Sequence, residues 1–417
     1  MSFNLLPIIT GIVGTLIFGI GLRNCCLLIL FFSLACTLPA GYFSTFGSRT
    51  GLRQMLHGRY YLISIIVALN LCTIAGFGVI DCVLGGSILS AVSDGKMDDT
   101  AGIVIIALVS MVVCFGGIKA IHPYEHYSWI FALLAITIAT GVGGKHLSEQ
   151  VMAPPAAAAT LVGFGGVVAG FLIPWANSAY CHPSAPTLRT FAYTYTGLFV
   201  PTVPLMVLGA AIGGATPNIP SWSEGYTNYS VGGVLQAMLP PAGGFGRFVA
   251  VLLSLTVVGN LTTARYSISL SFQLLLPIFG NIPRPVFTII YTAIAIPVAI
   301  KAAKSFFSSL KSLISLIAYW SAAFVAVVGV EHFVFRGGNC ERYEVDAWDK
   351  SDRLPTSLAA IGAMGLSFGL AVPCMSQVWY TGPLAEKTGD IGFEVALVLA
   401  AVLYVPLRWV ELKFRAV

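Results

Sequence analysis

Two ionisable residues stand where ionisable residues are costly. Asp81 falls inside the apolar run that ends near residue 92, and Arg265 inside the run over residues 247–279. A charged side chain at a bilayer centre costs about 2.5–3.5 kcal/mol on insertion scales, so such residues usually face a bundle interior and mark a pathway. Phe77 lies one helical turn before Asp81, on the same face. An aromatic plane beside a carboxylate suits a flat heteroaromatic ligand that stacks on the ring and offers N–H donors to the oxygens. Two alternatives stay open. Asp81 and Arg265 form an ion pair, which keeps the acid charged, or they stand apart, and Asp81 can then carry a proton. Arg265 can equally brace a helix or snorkel to an interface. Asn260 is a polar side chain in a run of Leu and Val; it bonds a ligand or a neighbouring helix. Trp175 follows Pro174 and can cover a cavity with its ring or sit in an interfacial belt.

Other motifs are weaker. His122, Glu125 and His126 lie in HPYEHY with His at i and i+4, but Pro123 and an expected loop position argue against a helical ligand pair. No metal and no cofactor are expected. The nine cysteines form no CxxC pair, fall mostly in apolar runs and read as small hydrophobes. No HExxH occurs, and GxSxG occurs once, as Gly365-Leu-Ser-Phe-Gly369 inside the apolar run 356–378 and not at a strand-to-helix turn, which speaks against an enzyme. The net charge of +5 is spread over loops and does not suggest nucleic acid. Asn228-Tyr229-Ser230 is a candidate glycosylation sequon.

The elements that must position these residues are membrane helices. The chain is 57% hydrophobic and 9% charged, with a mean hydropathy of +0.87; a soluble domain carries roughly 25% charged residues. Apolar windows predict about twelve spans, near residues 4–22, 25–44, 60–92, 100–120, 127–144, 159–181, 188–213, 247–279, 285–300, 312–330, 356–378 and 391–410. The third and eighth are long and must tilt or extend past the bilayer. Lys and Arg favour cytoplasmic termini, with Lys301, Lys304 and Lys311 as the main exception. The loop from Thr45 to Arg59 is basic and amphipathic enough to lie along the interface, and Thr216 to Gly246 reads as a long outer loop. The first span carries Pro7, Gly11, Gly14, Gly19 and Gly21; the sixth carries Gly163, Gly165, Gly166, Gly170 and Pro174. Broken spans in corresponding halves point to a secondary transporter with an inverted repeat and a midplane site.

Stretches along the whole chain carry a resemblance. They include YFSTFGSRTGLRQM (42–55), ILSAVSDGK (88–96), YEHYSWI (124–130), YSISLSFQLL (266–275), EHFVFRGGN (331–339), EVDAWDKSDRLP (344–355), MSQVWYTGPLAE (375–386) and YVPLRWVELKF (404–414). The chain resembles the fungal purine–cytosine permeases of the nucleobase–cation symporter family. The resemblance implies a leucine-transporter-like, all-α fold in one transmembrane domain over residues 1–417. Five helices (about 1–145) repeat inverted as five more (about 155–330), the first and sixth are discontinuous, and two further helices occupy about 355–412. It implies import of cytosine or purines, with protons as the coupling ion, across a fungal plasma membrane. It also places the base between Phe77 and Trp175, with Asp81 and Asn260 on its polar edge.

Departures qualify the substrate. Family members usually have Trp where Phe77 stands and an amide where Asp81 stands. Leu261 replaces a second asparagine, Thr263 a nearby proline, and Leu255 after Ser254 weakens a sodium site. An acid at the site favours a protonated or donor-rich heterocycle, such as an amino-substituted base or a basic vitamin. The competing reading is a transport-deficient, transporter-like sensor or scaffold.

Overall fold

The computed structural model describes residues 4–44, 60–177, 187–339, 342 and 357–415. The expected interfacial segment, 45–59, lies outside them. The described chain is almost wholly helical, as the long apolar windows require. Its main helices are α1 (Leu6–Ile12), α2 (Leu22–Phe43), α3 (Tyr60–Val92), α4 (Asp99–Phe115), α5 (Gly117–Gly143), α6 (Ala158–Leu172) and α7 (Thr187–Ala215). Then follow α8 (Pro220–Ala237), α9 (Gly243–Leu275), α10 (Arg284–Ala303), α11 (Phe306–Val330), α12 (Leu358–Ala371), the short α13 (Ala385–Thr388) and α14 (Gly392–Arg415). One antiparallel hairpin pairs β1 (Ser376–Gln377) with β2 (Tyr380–Thr381). Among the described residues nine helices are long and apolar enough to cross a membrane, and three shorter apolar helices accompany them. This is an all-α fold built of membrane-length apolar helices.

The glycine- and proline-rich spans are irregular where the sequence predicts. Pro7 opens α1, where a missing N–H costs nothing. After Ile12 the helix widens to a π-turn over Val13–Ile17. Gly19 then takes φ +64°, a left-handed value open to glycine. In the sixth span α6 gives way at Ile173 to a 3-10 segment, Ile173–Asn177, which contains Pro174 and Trp175. Residues 178–186 are outside the described set.

Two expectations fail. HPYEHY is not a loop: α5 starts at Gly117 and carries Pro123 within it. A proline is tolerated in a membrane helix where neighbours satisfy the carbonyl it frees. The segment 216–246 is not an open loop either. It holds α8, which is sharply kinked at Tyr229 and Ser230. Its polar composition hides it from an apolar window.

The chain forms two compact units. The first comprises Met1–Cys26, Asn70–Pro155 and Pro201–Leu310. Within it α3 and α4 touch backbone to backbone, since a Cβ on Gly102 would meet the carbonyl oxygen of Gly86. Small residues permit that approach, and it sets the depth of the helix that carries Asp81. Ser254 of α9 donates to the carbonyl of Gly85 over 2.8 Å and joins α9 to the same stretch.

The second unit comprises Leu27–Leu69, Ala156–Val200 and Lys311–Val417. Here α11 ends in a π-turn, Glu331–Phe335. Glu331 is 1% exposed. Its Oε1 accepts from Arg336 and Arg408, both at 3.1 Å, and its Oε2 from Tyr404 and Arg408, both at 3.0 Å. Buried charges are therefore not confined to Asp81 and Arg265. The fourfold grip on Glu331 ties α11 to α14.

At the opposite end of α14, Asp390 accepts from Tyr319 of α11 at 2.6 Å and from Gln377 of β1 at 3.1 Å. The backbone N–H groups of Ser376 and Gly392 also reach it.

Candidate functional site: a buried acid between α3 and α9

Asp81 and Asn260 come together. Asp81 projects from the middle of α3 and is 0% exposed. Asn260 projects from α9 and donates through Nδ2 to Asp81 Oδ2 over 2.5 Å. That leaves Oδ1 of Asp81 buried with no hydrogen-bond partner. A buried acceptor without a donor is unfavourable and uncommon in a folded core. Phe77, half-buried, lies one turn earlier on α3.

Arg265 lies five residues beyond Asn260 on α9 and is also 0% exposed. It does not pair with Asp81: among the described residues no carboxylate oxygen lies within 4 Å of its guanidinium. Its Nη1 donates to Thr292 Oγ1 of α10. The guanidinium carbon lies 5.4 Å from the ring centroid of Tyr291, a cation–π contact. Tyr291 in turn donates to the carbonyl of Ala75 over 3.2 Å. Nε and Nη2 of Arg265 are buried and unmatched. Of the two sequence alternatives, the structure has the separated one.

Sequence reasoning missed Tyr291 and Thr292. Both sit in an apolar helix with no local signature, and only the fold shows that they face Arg265. Ser254 spends its hydroxyl on the Gly85 carbonyl, and Leu261 is buried. Trp175 is half-buried on the 3-10 segment of the second unit. Asn228 is exposed beside the α8 kink and lines a cavity of about 470 Å³ with Asp99, Tyr226 and Lys304. His122 and His126 are exposed on α5. No group of metal-ligating side chains occurs among the described residues.

Comparison with known proteins decides the family. A family model described as permease for cytosine/purines, uracil, thiamine, allantoin matches residues 1–395. The chain belongs to this permease family. Purine-cytosine permease fcyB of Emericella nidulans is 32% identical over 97% of this chain and 82% of its own length. Purine-cytosine permease FCY21 of Saccharomyces cerevisiae is 31% identical over 97% and 80%. The vitamin B6 transporter TPN1 of Saccharomyces cerevisiae is 25% identical over 96% and 81%. Among solved structures, Mhp1, a nucleobase-cation-symport-1 family transporter in a closed conformation with bromovinylhydantoin bound, shares the fold. The TM-score is 0.70 at 14% identity, over 99% of this chain and 91% of that one. The permease therefore shares its fold with transporters, and its relatives are permeases, not enzymes.

Proposed function

We propose that this permease imports a nucleobase, or a similar small heterocycle, together with protons across a fungal plasma membrane by alternating access. The observation that carries the reading is the half-matched acid. Asp81 is fixed through one oxygen by Asn260 and keeps the other for a donor, with Phe77 one turn away. Phe77 offers a stacking face, Asp81 accepts an N–H, and Asn260 adds an amide to the polar edge. Trp175, at the Pro174 break, is assigned a second ring contact. The similarity to purine-cytosine permeases supports a base as substrate. An acid in the site supports a donor-rich or protonated one, and the similarity to a vitamin B6 transporter extends that class to basic heterocycles.

One observation favours a second reading, a protein that binds its ligand without carrying it. Phe77, Asp81 and Leu261 stand where family members usually have other residues, and pocket positions that change while the scaffold motifs stay can cost transport. Uptake of labelled cytosine, adenine and hypoxanthine in a permease-null yeast separates the two. Uptake that Asp81→Asn redirects among the bases supports the carrier. Binding with no uptake supports the sensor. Uptake of every base unchanged in Asp81→Asn removes Asp81 from the site.

A further inference from the structure

The unmatched edge of Arg265 calls for an occupant. Nε–H and Nη2–H lie side by side on the guanidinium and form the fork that grips a carboxylate with two parallel bonds. Here Nε and Nη2 are buried without a hydrogen-bond partner, while Thr292, the Tyr291 ring and the neutral Cys82 thiol hold the rest of the group in place. Arginine cannot shed its proton to escape burial. A counter-charge must therefore come from a carboxylate, and the neighbouring helices offer few. α9 and α10 contain no Asp or Glu, and Asp81 is the only one in α3. Asp81 carries the complementary defect, one buried oxygen without a donor.

The other titratable groups around this pair are Cys82 on α3, Cys114 on α4, Tyr291 on α10 and Tyr124 on α5, where it packs against Gly259. Thiols and phenols are ordinarily neutral near pH 7, so none of them supplies the missing negative charge.

We propose that Arg265 is the counter-charge that receives the Asp81 carboxylate each time Asp81 gives up its proton, which makes proton release part of the transport cycle. The inference rests on the reading of Asp81 as the ligand and proton site. The step balances simply: the Asp81 O–H bond breaks, the proton leaves to water on the discharging side, and the carboxylate exchanges its bond with Asn260 for the fork of Arg265. Arg265 is thus a positioning residue. It need not touch the ligand, yet the empty carrier cannot reset without it.

Net uptake requires that reset, whereas exchange of internal for external ligand does not. The test compares proton-driven net uptake with exchange of labelled cytosine and adenine in vesicles holding the full chain. Arg265→Gln is expected to lower net uptake at least tenfold and to leave exchange within about threefold of the native rate. Arg265→Lys, which keeps a cation, is expected to recover part of the net uptake. Equal loss of both activities in Arg265→Gln, with the protein folded, overturns the proposal and leaves the carrier reading intact. Absence of both activities from the native protein overturns the carrier reading itself, and the proposal with it. Should Arg265→Gln fail to fold, the double variant Asp81→Asn/Arg265→Gln decides. Rescue of folding and exchange supports the pair; no rescue overturns it.

Discussion

The amide of Asn260 holds one oxygen of Asp81, and the other oxygen is buried with nothing to accept from. A carboxylate accepts through both oxygens, so this one is half-satisfied in a packed interior. An amide at position 81 presents both a donor and an acceptor, whereas the ionised acid presents acceptance alone. That single change alters what a ligand edge must offer.

The stacking assignment predicts a graded loss. Base–aromatic stacking is worth about 1–3 kcal/mol. Phe77→Ala and Trp175→Ala should each raise the KM for the transported heterocycle by about 5- to 150-fold, and Phe77→Trp should be tolerated. Labelled uptake, corrected for the amount of protein at the cell surface, checks this. An unchanged KM in either alanine variant removes that residue from the site.

The backbone approach of α3 and α4 predicts intolerance at Gly102. A side chain there would meet the Gly86 carbonyl, and overpacking a core costs about 1–3 kcal/mol or more. Gly102→Leu should lower the thermal midpoint of the purified protein and displace Asp81. Gly144→Ala, where nothing lies within 4 Å of an added Cβ, should do neither.

Removing Arg408 takes two of the four donors from the buried Glu331 and leaves it Arg336 and Tyr404; breaking a buried pair costs up to about 3–5 kcal/mol. Arg408→Met should therefore lose folded protein, and Glu331→Gln/Arg408→Met should regain part of it. Fluorescence-detected size exclusion measures both.

Burial pushes the Asp390 carboxyl above its ordinary range, outweighing the donors that Tyr319, Ser376 and Gly392 supply and the nearby Lys311 charge. The sign follows from proton counting. As pH rises past the ordinary value of about 3.9, the unfolded carboxyl loses its proton while the folded one keeps it. Stability from this group is complete in acid and declines as pH climbs through the raised folded value. Thermal midpoints across pH should show that decline in the native protein and a flatter profile in Asp390→Asn.

Asn228 is exposed at the α8 kink, where a transferase could reach it. In a eukaryotic host the protein should run faster after endoglycosidase treatment, and Asn228→Gln should abolish the shift. That result would also place α8 outside the membrane, as the distribution of Lys and Arg suggests.

Much of this was legible in the chain itself. The lengths of α3 and α9 follow from uninterrupted apolar runs, and the irregular turns at Val13 and Ile173 follow from glycine and proline in lipid. Asp81, Arg265 and Asn260 stood out because polar groups in such runs are expensive. What escaped was non-local. Nothing near Arg265 in sequence announces Tyr291 or Thr292, and Glu331 lies 77 residues from Arg408. α8 is hidden from a hydropathy window, which detects apolar membrane helices and not polar ones.

That 77-residue interval carries a lesson about synthesis. When α11 emerges, Arg336 follows five positions later and can cover one oxygen of Glu331. The second oxygen waits for Tyr404 and Arg408, which are made 73 and 77 residues later. Until then the nascent protein holds an acid it cannot fully neutralise. A polypeptide cut short before α14 advertises its incompleteness to the quality-control machinery of the cell.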